Sequence, residues 1–138
     1  MQLNKAVPAI LVVWAWLLIW DNVIGGFILG PAMAQMPGVV ESYSKVWETV
    51  GDLFAAAVLV WVYDKVKASF AAGVRGGVTF GLYAGILMNF PNWLWLALYA
   101  GWPYAVTWMF VIVLTLLTVV SGALVGLVYG KVGGAPAA

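Results

Sequence analysis

Residues 103–129, from Pro103 to Tyr129, read PYAVTWMFVIVLTLLTVVSGALVGLVY and contain no charged side chain. A helix needs about 20 predominantly apolar residues to cross the hydrocarbon core of a bilayer, and this run is longer than that. Three more apolar stretches suit the same role. One runs from about Gly76 to Tyr99 and another from about Ala6 to Leu29, the latter with one charge, Asp21. The stretch from about Val46 to Val66 is expected to be the weakest: its charge-free part is only Leu53–Tyr63, and Asp52 must enter the apolar layer or sit at its edge. No strand-type alternation of the kind a membrane barrel needs is present. The reading is all-α: an integral membrane four-helix bundle forming a single four-span domain over 1–138.

Composition supports this. Of 138 residues, 65% are hydrophobic and 8% charged, with a mean hydropathy of +1.04. Soluble domains average roughly 45–50% apolar and about 25% charged residues. Disorder would require low hydrophobicity and high charge. With no Cys and no His, thiolate and imidazole ligation and both residues' catalytic roles are excluded. A net charge of +1 leaves no electrostatic footprint for nucleic acid.

Loop charges predict the orientation. Lys5, Lys65, Lys67, Arg75 and Lys131 fall on one side of four spans, and Lys45 on the other. Cytoplasmic loops carry the excess of Lys and Arg, so both termini are expected in the cytoplasm, with the protein in a bacterial inner membrane. Ala32-Met33-Ala34 resembles a signal-peptide cleavage site, but the preceding apolar stretch is too long for an ordinary h-region. The segment is therefore read as a retained helix. The Pro31–Lys45 loop, with Pro37, Gly38 and Tyr43, is expected on the outer side, along the interface. The short Ala100–Pro103 turn makes the third and fourth helices antiparallel neighbours. The small, uncharged tail Gly133–Ala138 is expected to fray.

Glycine spacing is the clearest pattern. Gly73, Gly77, Gly81 and Gly85 recur every four residues, as do Gly122, Gly126 and Gly130, and Gly26 and Gly30 repeat the interval once. Residues four apart share a helix face. Small residues there let backbones approach where lipid provides no hydrophobic drive between helices. The two long columns lie at the same depth in antiparallel helices, so Gly77, Gly81 and Gly85 are expected to pack against Gly122, Gly126 and Gly130.

Polar residues form the second pattern. At about 1.5 Å rise per residue, Asp21 sits ~12 Å below the outer end of its helix, Asp52 ~9 Å and Asn92 ~10 Å. Asn22 and Asn89 fall near the same layer. Asp21, Asn22, Asp52, Asn89 and Asn92 are thus expected to meet as an intramembrane polar cluster, with Thr107 slightly nearer the surface. Pro91 interrupts the backbone ladder between the two asparagines. Lys45 shares a helix face with Glu48 and Asp52 and is expected to serve them, leaving Asp21 without a cation. A carboxyl group inside a membrane is costly and is read by default as functional, here a proton-coupled or cation-binding group; the alternative is interhelical glue.

Trp20, Trp93, Trp95, Trp102 and Trp108, with Tyr99 and Tyr104, fall toward the outer half and suit an interfacial aromatic belt. A surface for a lipid, quinone or carotenoid is the sharper alternative. Thr115, Thr118 and Ser121 form a hydroxyl stripe expected to bond back to its own helix.

Asn22-Val-Ile-Gly25, Trp61-Val-Tyr63, Gly81, Gly85, Asn89 and Pro91, and Gly122 to Tyr129 together resemble a loose group of uncharacterised small four-span bacterial membrane proteins. That resemblance implies topology and no function. Small multidrug resistance transporters also have four short helices and an essential acidic residue in the first, which Asp21 resembles. The long first outer loop, Asp in place of Glu and the poorer second span depart from that family.

No zinc motif, phosphate loop or Ser/His/Asp set is present, so no catalytic or metal residues and no cofactor of its own are assigned. The expectation is a non-catalytic membrane protein that packs within the bilayer against lipids, other transmembrane subunits or itself. It would serve as an accessory subunit of a respiratory or photosynthetic complex, or as a homo-oligomer. The alternatives are a small proton- or cation-coupled transporter using Asp21, and a lipid-, quinone- or pigment-binding module.

Overall fold

A computed structural model describes residues 2–34, 44–96, 98 and 103–131, and all regular structure among them is helical. Helix α1 spans Leu3–Met33 (31 residues) and α2 Lys45–Val66 (22 residues), the latter prolonged by a 3-10 turn at Lys67–Ser69. Helix α3 spans Gly73–Leu96 (24 residues) and α4 Tyr104–Lys131 (28 residues). The outer loop with Pro37, Gly38 and Tyr43, the turn residues Tyr99 and Trp102, and the tail Gly133–Ala138 lie outside the described residues.

Among the described residues, α1, α2 and α4 are long and apolar enough to cross a membrane. The expectation that the second span is the weakest is corrected. Helix α2 meets the measure, whereas α3 has the length but not the apolarity. The charges of α2 cluster near its ends and leave a clean apolar middle. In α3, Arg75, the glycines, Asn89 and Asn92 are spread along the whole helix.

Helices α1 and α2 pack antiparallel, α4 lies against α1, and α3 pairs along its length with α4. Chain entry and chain exit meet at one end, where Gln2, Lys5, Lys67, Gly73 and Gly130 border a common cavity. The core at this end takes one residue per turn from several helices. Ala6, Ala9 and Val13 of α1 meet Ala56, Val60 and Tyr63 of α2, Phe80 of α3, and Val125 and Tyr129 of α4. Ala6, Ala9 and Ala56 are fully buried, and their small side chains let α1 and α2 approach closely. The Tyr63 ring stands edge-on to Phe80 at 5.1 Å and to Tyr129 at 5.3 Å between centroids, bringing α2 to α3 and α4. At the opposite end, Trp20, Leu29 and Ala32 of α1 pack on Val106 and Phe110 of α4. Trp93 of α3 stacks on Phe110 at 4.3 Å. Trp20, expected in an interfacial belt, is therefore a core residue, while Trp95 is exposed.

The contact between α3 and α4 runs through glycine. A Cβ added to Gly122 would lie 2.7 Å from the Gly81 Cα and clash with the Gly77 carbonyl. One added to Gly77 would lie 2.9 Å from the Gly126 Cα, and one on Gly81 would lie 2.5 Å from the Thr118 carbonyl. Gly85 faces Thr115, and Gly130 faces the Gly73 Cα. No larger residue fits this backbone approach at the centre of the seam. Gly73, which opens α3, has φ +72°, a left-handed conformation suited to glycine. The hydroxyl stripe of α4 bonds back in part: Thr118 donates to the Leu114 carbonyl at 2.8 Å and Ser121 to Leu117 at 2.9 Å. Thr115 Oγ1 is buried without a hydrogen-bond partner among the described residues.

Candidate functional site: a carboxyl pair between two helices

Helix α1 does not keep a regular α pitch. Residues Trp20–Ile24 form a π-helical turn, closed by the Gly25 N–H donating to the Trp20 carbonyl. Such turns insert one extra residue and occur frequently at functional sites. Gly25 permits this one. A Cβ there would lie 3.1 Å from the Trp20 carbonyl oxygen and 3.2 Å from the Trp20 indole nitrogen. The Asn22 side-chain amide donates to the Leu18 carbonyl at 2.9 Å, so a local side chain takes up one of the carbonyls beside the irregular turn.

Asp21 is the second residue of this turn. Its carboxyl group faces that of Asp52 on α2 within hydrogen-bonding reach, and both side chains are half-buried. Two ionised carboxylates offer only acceptors, so a hydrogen bond between them requires that one carry a proton. Asp52 Oδ2 is buried and has no N–H donor or hydroxyl partner among the described residues. A proton shared between the two carboxyls would give it a partner.

The surroundings are charged. Lys45 Nζ lies 2.7 Å from Glu48 Oε2 and donates to Asn22 Oδ1 at 3.2 Å. Both Lys45 and Glu48 are close enough to act electrostatically on Asp21 and Asp52. Two turns before Asp21 on α1 and one turn before Asp52 on α2, the Trp14 indole N–H donates to the Thr49 carbonyl at 3.2 Å. That bond fixes the α1–α2 register that brings Asp21 to Asp52. The Thr49 hydroxyl in turn bonds to the Lys45 carbonyl at 2.8 Å.

Of the five residues expected to meet, Asp21, Asn22 and Asp52 come together, and Asn89 and Asn92 do not join them. Asn92 is exposed and donates to the Met88 carbonyl of its own helix at 2.6 Å, next to the Leu87 carbonyl that Pro91 leaves without its helical donor. Among the described residues no hydrogen bond links either asparagine to the carboxyl pair. The reason is lateral. Helix α3 packs on the far side of α4, so equal depth does not bring it to the α1–α2 contact. The expectation that Asp21 lacks a nearby cation is also corrected, because Lys45 crosses to α1 and reaches Asn22. Glu48 completes the cluster. Its place on the same α2 face as Lys45 and Asp52 was visible in the spacing, but its approach to Asp21 was not.

Chemically, this arrangement can hold, donate and accept a proton between adjacent helices. Among the described residues, no group of three or more acidic side chains has the geometry to hold a metal ion. Comparison with protein-family profiles, with curated proteins and with solved structures returns no match to this chain.

Proposed function

We propose that the chain is an integral membrane protein that works by lateral packing within the bilayer, as an accessory subunit of a larger membrane complex of respiratory or photosynthetic type or as a homo-oligomer. The observation that carries this is the exposure of large apolar side chains on all four helices. Phe27 is 83% exposed, Trp47 76%, Phe54 71%, Leu87 75% and Ile112 56%. So much exposed apolar surface is unstable in water and suits lipid or another membrane helix. Two features favour a helix over lipid on part of it. The glycine columns of α3 and α4 are used within the chain, but a Cβ on Gly26 or Gly30 of α1 would meet nothing within 4 Å among the described residues, which leaves one small-xxx-small face open among them. On α2, Trp47, Phe54 and Trp61 recur every seven residues along one exposed face. In this reading α3 crosses the membrane by pairing with the strongly apolar α4. The end bearing Lys5, Lys65, Lys67 and Arg75 faces the cytoplasm of a bacterial inner membrane. Purification from the native membrane tests this. Co-purification at fixed stoichiometry, lost in a Gly26→Leu, Gly30→Leu variant that still inserts, is the expected result; unchanged behaviour of that variant counts against it.

A second reading is favoured by the carboxyl pair: a small proton-coupled transporter using Asp21 and Asp52 across the π-helical turn. An ionisable pair inside a membrane costs stability and points to proton handling. Here Asp21→Asn is expected to abolish proton-coupled transport in proteoliposomes while leaving helicity and yield unchanged. Normal transport by that variant would sink the reading.

A further inference from the structure

At the end formed by the start of α1 and the end of α4, a cavity of about 280 Å³ opens between the first turn of α1, the end of α2, the start of α3 and the end of α4. Lys5 and Lys67 both line it, with Tyr63 and Tyr129 as an aromatic wall. Lys67 is held in place by two contacts: its Nζ lies 2.7 Å from Asp64 Oδ1 and 5.0 Å from the centre of the Tyr129 ring, and the Tyr129 hydroxyl donates to the same Asp64 at 3.2 Å. An ammonium group has three donors, so Lys67 keeps donor capacity beyond Asp64. Lys5 makes no ion pair among the described residues and faces the same cavity. Lys65 and Arg75 stand at this end too, whereas Asp21, Glu48 and Asp52 gather toward the other. Against the single carboxylate Asp64 among the described residues there, the four cations Lys5, Lys65, Lys67 and Arg75 leave positive charge in excess at this end, while the two helix starts and two helix ends around the cavity bring opposing partial charges.

We propose that this cavity binds the phosphate-bearing headgroup of an anionic phospholipid, with Lys5 and Lys67 as its charged contacts. The inference rests on the membrane reading above. The cavity lies at the helix ends, the level of lipid headgroups, and basic pockets between membrane helices recognise such headgroups. Its volume is near the lower limit of the ~300–1,000 Å³ usual for small-molecule sites, which suits a headgroup and not a whole lipid. Lysine binds phosphate as a point charge without needing the bidentate geometry of arginine.

The test is incorporation of the full chain into nanodiscs of phosphatidylcholine mixed with phosphatidylglycerol, followed by native mass spectrometry of the lipid retained. The wild-type protein is expected to retain phosphatidylglycerol over phosphatidylcholine by roughly five- to thirty-fold, the range one to two lysines supply at a membrane surface. Lys5→Gln, which leaves the Asp64–Lys67 pair intact, should remove most of that preference. Lys5→Gln with Lys67→Gln should abolish it, and Lys65→Gln, an equal loss of charge outside the cavity, should leave it. Equal retention of both lipids by the wild type overturns the proposal, as does a preference that survives the double substitution. Displacement of the lipid by millimolar inorganic phosphate, with phosphate bound in pure phosphatidylcholine discs, would reassign the cavity to a soluble anion. Failure to enter discs of either composition would overturn the membrane reading itself.

Discussion

Replacing Gly122 by Ala tests the helix seam most sharply, because the structure sets both the sign and the size of the effect. The added methyl carbon would lie 2.7 Å from the Gly81 Cα and 2.8 Å from the Gly81 nitrogen. Unstrained carbon contacts lie at about 3.5–4.0 Å, so α3 and α4 must part by roughly 1 Å along a seam that supplies most of the contact of α3 with the rest of the chain. Overpacking of this kind costs about 1–3 kcal/mol. Against it stands the better helix propensity of Ala over Gly, about 0.8–1.0 kcal/mol. Gly51→Ala on α2 provides the reference: an added Cβ there meets nothing within 4 Å among the described residues, so it gains the propensity without a packing cost. The difference between the two variants isolates the packing term, and Gly122→Ala should be less stable than Gly51→Ala by about 1–3 kcal/mol. Equilibrium unfolding in mixed micelles, in a detergent that keeps the chain monomeric, measures it. Equal stability of the two variants would refute the reasoning, because backbones that tolerate a methyl group are not packed through glycine.

Other expected outcomes follow from single contacts. Trp14→Phe removes the indole donor to the Thr49 carbonyl and should destabilise the α1–α2 contact by about 0.5–1.5 kcal/mol, measured by the same unfolding titration. Tyr129→Phe removes the hydroxyl that donates to Asp64; a hydrogen bond to a charged group contributes about 1.5–3 kcal/mol, reduced here because Lys67 still pairs with the carboxylate. Its loss should appear as faster amide exchange at the ends of α2 and α4, and unchanged exchange there would argue against the contact. Asp52→Asn keeps a hydrogen-bonding partner for Asp21 and should preserve fold and yield. Asp52→Leu removes that partner and leaves the Asp21 carboxyl without it, so it should lower stability by about 1–3 kcal/mol, and equal stability of the two variants would argue that the carboxyls are not paired.

Counting along the sequence recovers depth but not rotation about a helix axis, and this divides what was legible from what was not. The α3–α4 seam could be read because the four-residue glycine interval specifies depth and face at once. The clustering of Asp21, Asn22 and Asp52 was legible by depth. Asn89 and Asn92 share that depth, yet α3 sits beyond α4, and helix order across a bundle leaves no trace in residue spacing. Trp20 is of a residue type common at membrane interfaces, yet it is buried where α1 packs on Val106 and Phe110 of α4. The π-helical turn was illegible because Trp20-Asp-Asn-Val-Ile24 is compatible with an ordinary α-helix. Its one sequence trace is Gly25, where a side chain would crowd Trp20. The cavity between Lys5 and Lys67 joins residues far apart in the chain, and only the return of α2 beside the start of α1 brings them together.

Native mass analysis of the protein, extracted from its own membrane in a mild detergent with its bound lipids, tests lateral packing most directly. A larger assembly containing this chain at a fixed ratio, or a defined homo-oligomer, is the expected result. A lone monomer that loses proton-coupled transport on Asp21→Asn would contradict it and assign the function to the carboxyl pair.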